Sequence, residues 1–342
     1  MPADRADGRR TRVALVLGSG GARGLAHIGV IEEVERAGLE IVSIAGSSMG
    51  ALVGGIYAAG RLSGYRDWVV SLERSGVVRL LDFAFGHPGL IKGERIIAAL
   101  RELVGEHKIE ELPIPFTAVA TDLESQREVW LSKGQLFDAI RASIAIPMLF
   151  TPHRLDGREL VDGGLLAPLP LAPTRQTQAD LVIAVDVNAR VASGLRHLRA
   201  PPVELVAEQD DAAEAGRDEG LRARFAQIME GLFERRPAEP PQPGLIDLMS
   251  RSLETMQAQL SRLRLALDPP DLVVRIPRDA CMFHEFWRAR ELIEIGSQAA
   301  HEALSQARAQ LGSDAPRQAP SRSPAEIAHD AESTADAERR SS

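Results

Sequence analysis

One serine of the chain lies in a setting that is typical of a nucleophile. Residues 46–50 read Gly-Ser-Ser-Met-Gly, and this G-x-S-x-G pattern follows an apolar run and precedes a helical pattern. A sharp strand-to-helix turn forces the central serine into a strained backbone conformation, exposes its hydroxyl and needs small neighbours. The positive end of the helix dipole then faces the reacting centre. The sequence therefore predicts Ser48 as a nucleophile, with Gly46 and Gly50 supporting the turn.

A glycine-rich loop over residues 18–24 (Gly-Ser-Gly-Gly-Ala-Arg-Gly) also lies between an apolar run and a helical pattern. A dinucleotide-binding loop is one interpretation, but Arg23 occupies the third glycine position of that fingerprint. The second strand also ends at Ala45 and Gly46, where an acid that binds ribose is expected. The free backbone N–H groups of the loop are better suited to an oxyanion hole, with Arg23 holding the loop or adding positive charge. The residues predicted for this hole are Gly20, Gly21, Ala22, Arg23 and Gly24, and a nucleotide phosphate site stays open as the alternative.

A third segment places an aspartate at the predicted end of a strand. Residues 159–165 read Glu-Leu-Val-Asp-Gly-Gly-Leu, so Asp162 follows two apolar residues and precedes two glycines. Taken alone, an Asp-Gly pair is typical of an ordinary turn. Asp162 becomes a candidate catalytic residue only in the company of the other two segments.

Short apolar runs and helical patterns alternate through the first sixty residues. The pattern predicts strands over residues 13–17 and 41–45 and helices over residues 25–37 and 49–59, each helix followed by a glycine. The uncharged stretch 41–60 is long enough to span a bilayer, but its glycines and its turn favour a buried strand and helix. This alternation indicates a parallel sheet with crossover helices. Further strands are predicted over residues 115–120, 128–131, 181–185 and 271–276, with helices over residues 137–142 and 244–267.

The three segments occur in the order and at the spacing of a known family. The chain resembles the patatin-like phospholipases, and specifically the bacterial members related to the catalytic domain of neuropathy target esterase. The resemblance covers residues 13–188 well and residues 244–310 more loosely. Ser19 departs from the family pattern, in which many members have a further glycine, although serine still offers its backbone N–H. The matching motifs are residues 20–24, 46–50, 142–147 (Ala-Ser-Ile-Ala-Ile-Pro) and 162–164.

The resemblance implies a three-layer α/β/α fold with a mainly parallel central sheet, and it implies a Ser–Asp dyad of Ser48 and Asp162 that hydrolyses acyl lipids. In the predicted reaction Asp162 accepts the proton of Ser48, an acyl-enzyme forms, and water releases the acyl group. Because an aspartate ordinarily has a pKa near 3.9, this role predicts a partly desolvated carboxyl with a raised pKa. The predicted activity is that of a serine esterase of the phospholipase A or lysophospholipase type.

Two alternatives to this prediction stay open. One is a Ser–acid–His triad with His284 as the late histidine. Only two predicted strands precede Ser48, fewer than in an α/β-hydrolase, so His284 is better interpreted as a packed or surface residue, and His27 is expected to pack beside the glycine loop. The other is a non-catalytic lipid-binding or regulatory scaffold, suggested by the acidic insertion, the amphipathic helix and the polar tail.

Charge and cysteine content exclude several classes of partner. The formal net charge of −8 argues against nucleic acid and against strong attraction to anionic membranes. The single cysteine, Cys281, allows no intramolecular disulfide and no cysteine-based metal site, and it is compatible with a reducing cytoplasm. Histidines and acids show no zinc-ligand spacing, so we predict no metal and no cofactor. We expect a cytoplasmic protein that acts on an acyl lipid or ester and touches membrane surfaces transiently; its oligomeric state does not follow from the sequence.

Composition divides the chain into five segments. Residues 244–267 carry apolar residues at helical spacing, which predicts a helix packed on the core, with a lipid-facing cap as the alternative. The predicted segments are a disordered lead (1–12), a catalytic core (13–190), an acidic mobile insertion (191–243), helices and a last strand that complete the domain (244–312), and a disordered tail (313–342).

Overall fold

A computed structural model describes residues 9–82, 91–190 and 245–313 of the chain. The predictions for residues 1–8, for the insertion 191–243 and for the tail beyond residue 313 therefore lie outside the described residues. The strands are β1 (Arg12–Leu17), β2 (Glu40–Ser47), β3 (Phe116–Asp122), β4 (Arg127–Leu131), β5 (His153–Leu155), β6 (Arg158–Asp162), β7 (Leu181–Ala189) and β8 (Leu272–Pro277). The helices are α1 (Ala26–Arg36), α2 (Met49–Ala58), α3 (Leu62–Ser71), α4 (Arg74–Arg79), α5 (Glu94–Val104), α6 (Leu136–Ser143), α7 (Leu245–Leu267) and α8 (Ala289–Ser313).

The eight strands form one mixed sheet. Five of them run parallel in the order β3-β2-β1-β7-β8, as the alternation of apolar runs and helices predicts. Strands β4 and β6 pair with β3 in the antiparallel direction, and β5 pairs antiparallel with β6. The predicted mainly parallel sheet is confirmed, and a small antiparallel extension completes it beyond β3.

Both faces of the sheet are covered, which gives the predicted three layers. Along β1 the side chains alternate: Val13, Leu15 and Leu17 belong to the large core that includes α1, α2 and α8. Ala14 and Val16 belong to a smaller cluster on the other face, against which Leu265 of α7 packs. Burial on both faces explains why the run is continuously apolar.

Two differences from the predicted elements have a physical cause. Strand β7 continues to Ala189, beyond the predicted end at residue 185, because its pairing with β8 extends that far. The apolar pattern did not reveal this continuation, since it contains the buried polar residues Asp186 and Asn188. Strand β5 has only three residues, two of them His153 and Arg154, so it shows no apolar pattern. The uncharged stretch 41–60 forms β2 and α2, and no helix in the described residues is long and apolar enough to cross a membrane.

Candidate active site

Ser48 occupies a tight turn between β2 and α2. Its backbone dihedrals are φ 54° and ψ −123°, a region that residues other than glycine rarely adopt and that stores strain. The turn also brings backbone segments into contact. A Cβ atom at Gly46 would lie 2.4 Å from the carbonyl oxygen of Gly50, and one at Gly50 would lie 2.0 Å from that of Leu17. Only glycine fits at either position, so these two residues allow the turn that presents the serine.

The sheet brings Asp162 to this turn. Strand β2 pairs with one edge of β3 as far as Ser47, which lies opposite Val119. The other edge of β3 is occupied by β4, so β6 must use the edge where β2 has ended, with Asp162 opposite Ala120. The carboxyl ends of β2 and β6 therefore meet side by side along the same edge of β3. The hydroxyl of Ser48 donates a hydrogen bond of 2.5 Å to Oδ2 of Asp162.

The Asp162 carboxyl group is present in both its charged and its neutral form near neutral pH. Its other oxygen, Oδ1, accepts a 2.6 Å hydrogen bond from the N–H of Gly164. Burial raises the pKa of Asp162 from 3.8 to about 7, while the hydrogen bonds from Ser48 and Gly164 lower it. A group with such a pKa is matched to accept and return a proton near neutral pH.

The backbone around both residues is held by the segment 142–147 and by β3. The hydroxyl of Ser143 accepts a 2.9 Å hydrogen bond from the N–H of Ser48 and donates one of 2.6 Å to the carbonyl oxygen of Val119. The N–H of Asp162 donates to the carbonyl oxygen of Ala145 at 2.9 Å. The residue-by-residue interpretation of the sequence assigned no role to Ser143. The sequence feature that could have indicated a role for Ser143 is its position next to apolar residues at the end of a buried helix.

The glycine loop follows β1 and forms a short 3₁₀ helix over Gly21–Leu25. The N–H of Ser19 donates to the carbonyl oxygen of Pro168 at 2.8 Å, and that of Ala22 donates to the carbonyl oxygen of Phe283 at 2.7 Å. A 3₁₀ helix bonds each N–H to the carbonyl three residues back, which engages the N–H groups of Arg23 and Gly24. The N–H groups of Ala22, Arg23 and Gly24 are therefore all engaged and cannot bind an oxyanion. Of the five residues predicted for the oxyanion hole, Gly20 and Gly21 remain as candidates.

Two N–H groups of the loop stay unpaired. Within the described part of the chain, the N–H groups of Gly20 and Gly21 meet no acceptor. Both residues line the same cavity as Ser48 and Asp162. Adjacent unpaired donors beside a nucleophile are the arrangement that an oxyanion hole requires.

Arg23 is directed away from these donors. Its buried guanidinium donates to the carbonyl oxygens of Val187 and Cys281, at 3.2 and 3.3 Å. It also donates to Oδ1 of Asn188 and to the carboxylate of Glu254, both at 2.9 Å. Of the two roles predicted for Arg23, this geometry favours holding the loop, because the guanidinium is paired with Glu254 of α7 and hydrogen-bonded to the end of β7.

Two cavities meet at Ser48. The larger spans about 1270 Å³, including space open to solvent, and is lined almost entirely by apolar side chains, many of them from α3, α4 and α5. The smaller spans about 680 Å³, also including space open to solvent, and its lining includes the polar residues Ser19, Glu254 and Gln257. Ser48 thus lies at the boundary between an almost entirely apolar compartment and one whose walls also carry polar side chains. The residues that line both are Gly21, Ser48, Ile146, Leu149 and Phe283.

Neither His284 nor His27 lies between Ser48 and Asp162. His284 lines the larger cavity, and its ring packs edge-on against Phe283, with centroids 5.2 Å apart. The direct hydrogen bond between Ser48 and Asp162 leaves no place for an imidazole between them. Burial lowers the pKa of His27 to about 4, so its ring is neutral and Nε2–H donates to the carbonyl oxygen of Gly18 at 2.8 Å. Among the described residues no cluster of histidines, cysteines and acids is suited to a metal ion.

Comparisons of the sequence with family models and curated proteins agree on one family. A family model described as "Patatin-like phospholipase" matches residues 15–175. An uncharacterized NTE family protein of Mycobacterium tuberculosis is 42% identical over 86% of this chain and 91% of its own length. A lysophospholipase of Emericella nidulans is 26% identical over 87% of this chain, which matches only 18% of that longer protein. A solved structure, VipD from Legionella pneumophila, superimposes with a TM-score of 0.43 at 14% identity, over 89% of this chain and 69% of that one.

Proposed function

The chain belongs to the patatin-like phospholipase family, in its NTE group, and we propose that it is a serine esterase that hydrolyses acyl lipids through Ser48 and Asp162. One observation carries the proposal. The hydroxyl on a strained strand-to-helix turn donates 2.5 Å to a buried carboxylate whose pKa is about 7. A serine in this position is activated by the neighbouring base without a third residue.

The proposed reaction proceeds by acyl transfer. Asp162 takes the proton of the Ser48 hydroxyl while the oxygen attacks the ester carbonyl carbon, and the N–H groups of Gly20 and Gly21 stabilise the negative oxygen. As the tetrahedral intermediate collapses, Asp162 returns the proton to the leaving alcohol. Water then attacks the acyl-enzyme, with Asp162 again accepting and returning one proton, which regenerates Ser48 and releases a fatty acid.

The two compartments fit the two ends of an acyl lipid. The larger cavity takes the acyl chain, because its lining is almost entirely apolar and an alkyl chain there covers few polar groups. The smaller cavity, with Ser19, Glu254 and Gln257, takes the polar alcohol side of the ester. This division supports phospholipase A, lysophospholipase and simple esterase activities alike.

One experiment tests the activity and ranks these substrates. Purified protein is incubated with diacyl phosphatidylcholine, monoacyl phosphatidylcholine and a p-nitrophenyl acyl ester, and released fatty acid or nitrophenol is measured. In parallel, a fluorophosphonate probe is added and the modified residue is identified by mass spectrometry. We expect hydrolysis together with a Ser48 adduct. A folded protein that forms no adduct and releases no acid would instead support the non-catalytic lipid-binding or regulatory scaffold.

A histidine variant separates the dyad from a triad. His284→Ala is expected to keep at least about one tenth of the wild-type kcat/KM, because the His284 ring packs on Phe283 and the dyad does not use it. The measurement is the initial rate of p-nitrophenyl ester hydrolysis at saturating and limiting substrate. A loss as large as that of Ser48→Ala would overturn the dyad in favour of the triad.

An exposed stripe on α7 supports contact with lipid surfaces. One face of α7 covers the site, since Glu254 pairs with Arg23 and Gln257 accepts from the Ser19 hydroxyl at 3.4 Å. A neighbouring face carries large apolar side chains that are 41–74% exposed. Met249 also lines the smaller cavity, so the stripe begins at the mouth of the site. We propose that it contacts the surface of a phospholipid bilayer. The stripe consists of Met249, Met256, Leu263 and Leu267.

Charges placed on the stripe test this contact. The double variant Met256→Glu/Leu263→Glu is expected to bind phosphatidylcholine vesicles at least about tenfold more weakly, because neither side chain can then enter the apolar layer. Gln259→Glu is the control, since Gln259 is exposed on the same helix and glutamate keeps the acceptor for Arg262. Hydrolysis of a soluble ester should be unchanged in both. Unaltered vesicle binding would overturn the proposal, and so would a wild-type oligomer that dissociates in the double variant, which would make the stripe a subunit contact.

The single cysteine and the proposed membrane contact together suggest where the enzyme acts. We propose a cytoplasmic enzyme that meets membranes at their surface.

A further inference from the structure

We propose that Asn188 is a positioning residue that directs the N–H of Gly20 toward the developing oxyanion; this rests on the proposed serine esterase function. Asn188 lies near the end of β7 and is buried. Its Nδ2 donates a hydrogen bond of 2.6 Å to the carbonyl oxygen of Ser19, and its Oδ1 accepts one of 2.9 Å from Arg23. It therefore connects the glycine loop to the buried guanidinium.

The orientation of the Asn188 amide follows from its two partners. A guanidinium can only donate hydrogen bonds, so the side that faces Arg23 is the oxygen. A backbone carbonyl can only accept, so the side that faces Ser19 is the NH₂ group. Arg23 thus sets the amide, and the amide in turn holds the Ser19 carbonyl.

The Ser19 carbonyl and the Gly20 N–H belong to one peptide unit. No cis peptide bond occurs in the described chain, and in a trans unit the C=O and N–H groups point in opposite directions. A carbonyl held toward Asn188 therefore turns the Gly20 N–H to the opposite side, and Gly20 lines the cavity of Ser48. Donation to the carbonyl also polarises the unit and strengthens the N–H as a donor.

The end of β7 supports the glycine loop. The backbone N–H of Asn188 donates to Oδ1 of Asp186 at 3.0 Å, which fixes the backbone that carries the amide. A Cβ atom at Gly20 would lie 2.3 Å from Cγ2 of Val187, so the loop rests directly on the strand. Asn188 is the only asparagine among the 342 residues. Burying a polar amide costs free energy unless its hydrogen bonds are made, and the two that the Asn188 side chain makes both go to the glycine loop.

Asn188→Asp tests the proposal with almost no change of shape. The carboxylate still accepts from Arg23, but its second oxygen cannot donate a hydrogen bond and repels the Ser19 carbonyl oxygen. The peptide unit between Ser19 and Gly20 must therefore rotate. We expect kcat for p-nitrophenyl ester hydrolysis to fall by about 100-fold, with KM within about threefold of wild type, because one oxyanion donor is displaced. The pH of half-maximal activity should stay that of wild type, since Ser48 and Asp162 are untouched.

Further variants separate positioning from folding. Asn188→Ala removes both bonds without adding charge and is expected to lower kcat to a similar extent; it provides the test if Asn188→Asp fails to fold. Ser43→Ala is the control, because Ser43 is a buried polar residue of β2 that lies outside the loop, and its kcat should be unchanged. Rates are expressed per folded molecule, with folding followed by thermal unfolding.

Two outcomes would overturn the inference while leaving the esterase function intact. One is a kcat within about threefold of wild type in a folded Asn188→Asp or Asn188→Ala protein. The other is a loss of thermal stability with normal kcat per folded molecule, which would give Asn188 a structural role only. If wild type itself releases no fatty acid and forms no Ser48 adduct, the proposed function fails first, and the two failures are thereby distinguished.

Discussion

Replacing Ser48 with alanine is expected to lower kcat/KM for ester hydrolysis by at least about a thousandfold. The variant keeps both glycines of the turn and the Asp162 carboxyl, so it removes the attacking oxygen and little else. Any residual rate comes from the oxyanion donors and from substrate binding. Fatty acid release and fluorophosphonate labelling measure the loss, and thermal unfolding establishes that the variant is folded.

The neighbouring serine provides a matched control. The Ser47 hydroxyl is buried and has no hydrogen-bond partner among the residues that the structure describes. Ser47→Ala therefore changes the same motif by the same atom without touching the dyad, and we expect activity close to wild type. Equal losses in the two variants would point to a disturbed turn, and a Ser48→Ala protein with more than a tenth of wild-type activity would contradict the proposed nucleophile.

Local sequence patterns were sufficient for the elements that surround Ser48. A continuous apolar run predicts β1 because both of its faces are buried, and the glycines at positions 46 and 50 mark a turn that no other residue fits. Strand, turn and helix are adjacent in the chain here, so the prediction needed no knowledge of pairing. The fold class followed from the same alternation.

Local sequence patterns do not predict which distant strands pair with each other. Asp162 lies beside Ser48 only because β6 takes over the edge of β3 where β2 ends, and nothing near residue 162 encodes that pairing. The family resemblance supplied what local chemistry could not. Asn188 was missed for a related reason. A polar residue after an apolar run indicates the end of a strand, whereas the partners of Asn188, the Ser19 carbonyl and Arg23, are more than 160 residues away in the chain.

Replacing Asp162 with asparagine is expected to lower kcat/KM by about 10²- to 10⁴-fold, the usual contribution of a general base. Asparagine fills the same space and its oxygen still accepts from the N–H of Gly164, but its amide cannot take the proton of Ser48. The measurement is the ester hydrolysis rate of folded variant against wild type. Activity within about threefold of wild type would remove Asp162 from the mechanism.

The pH dependence of wild-type activity should follow the ionisation of the Asp162 carboxyl group. Only the ionised carboxylate can accept the serine proton, and burial raises its pKa to about 7. Activity should therefore be low at pH 5, rise through about pH 7 and level off above it, whereas the residual activity of Asp162→Asn should lack this step. A wild-type midpoint near pH 4 would mean that the carboxyl is solvated and would contradict the buried base.

Stability should respond to pH in the opposite sense. The pKa of Asp162 is about 7 in the folded protein and near 3.8 when unfolded, so folding favours the protonated form. The penalty for ionisation is absent below about pH 4, grows as the pH rises to about 7 and is constant above, where it reaches roughly 4 kcal/mol in the free energy of unfolding. Asp162→Asn carries no such penalty. Its stability relative to wild type, measured by denaturant unfolding, should increase between pH 5 and pH 8, and a difference that stays equal at both pH values would show that the carboxyl is not held in a desolvated site.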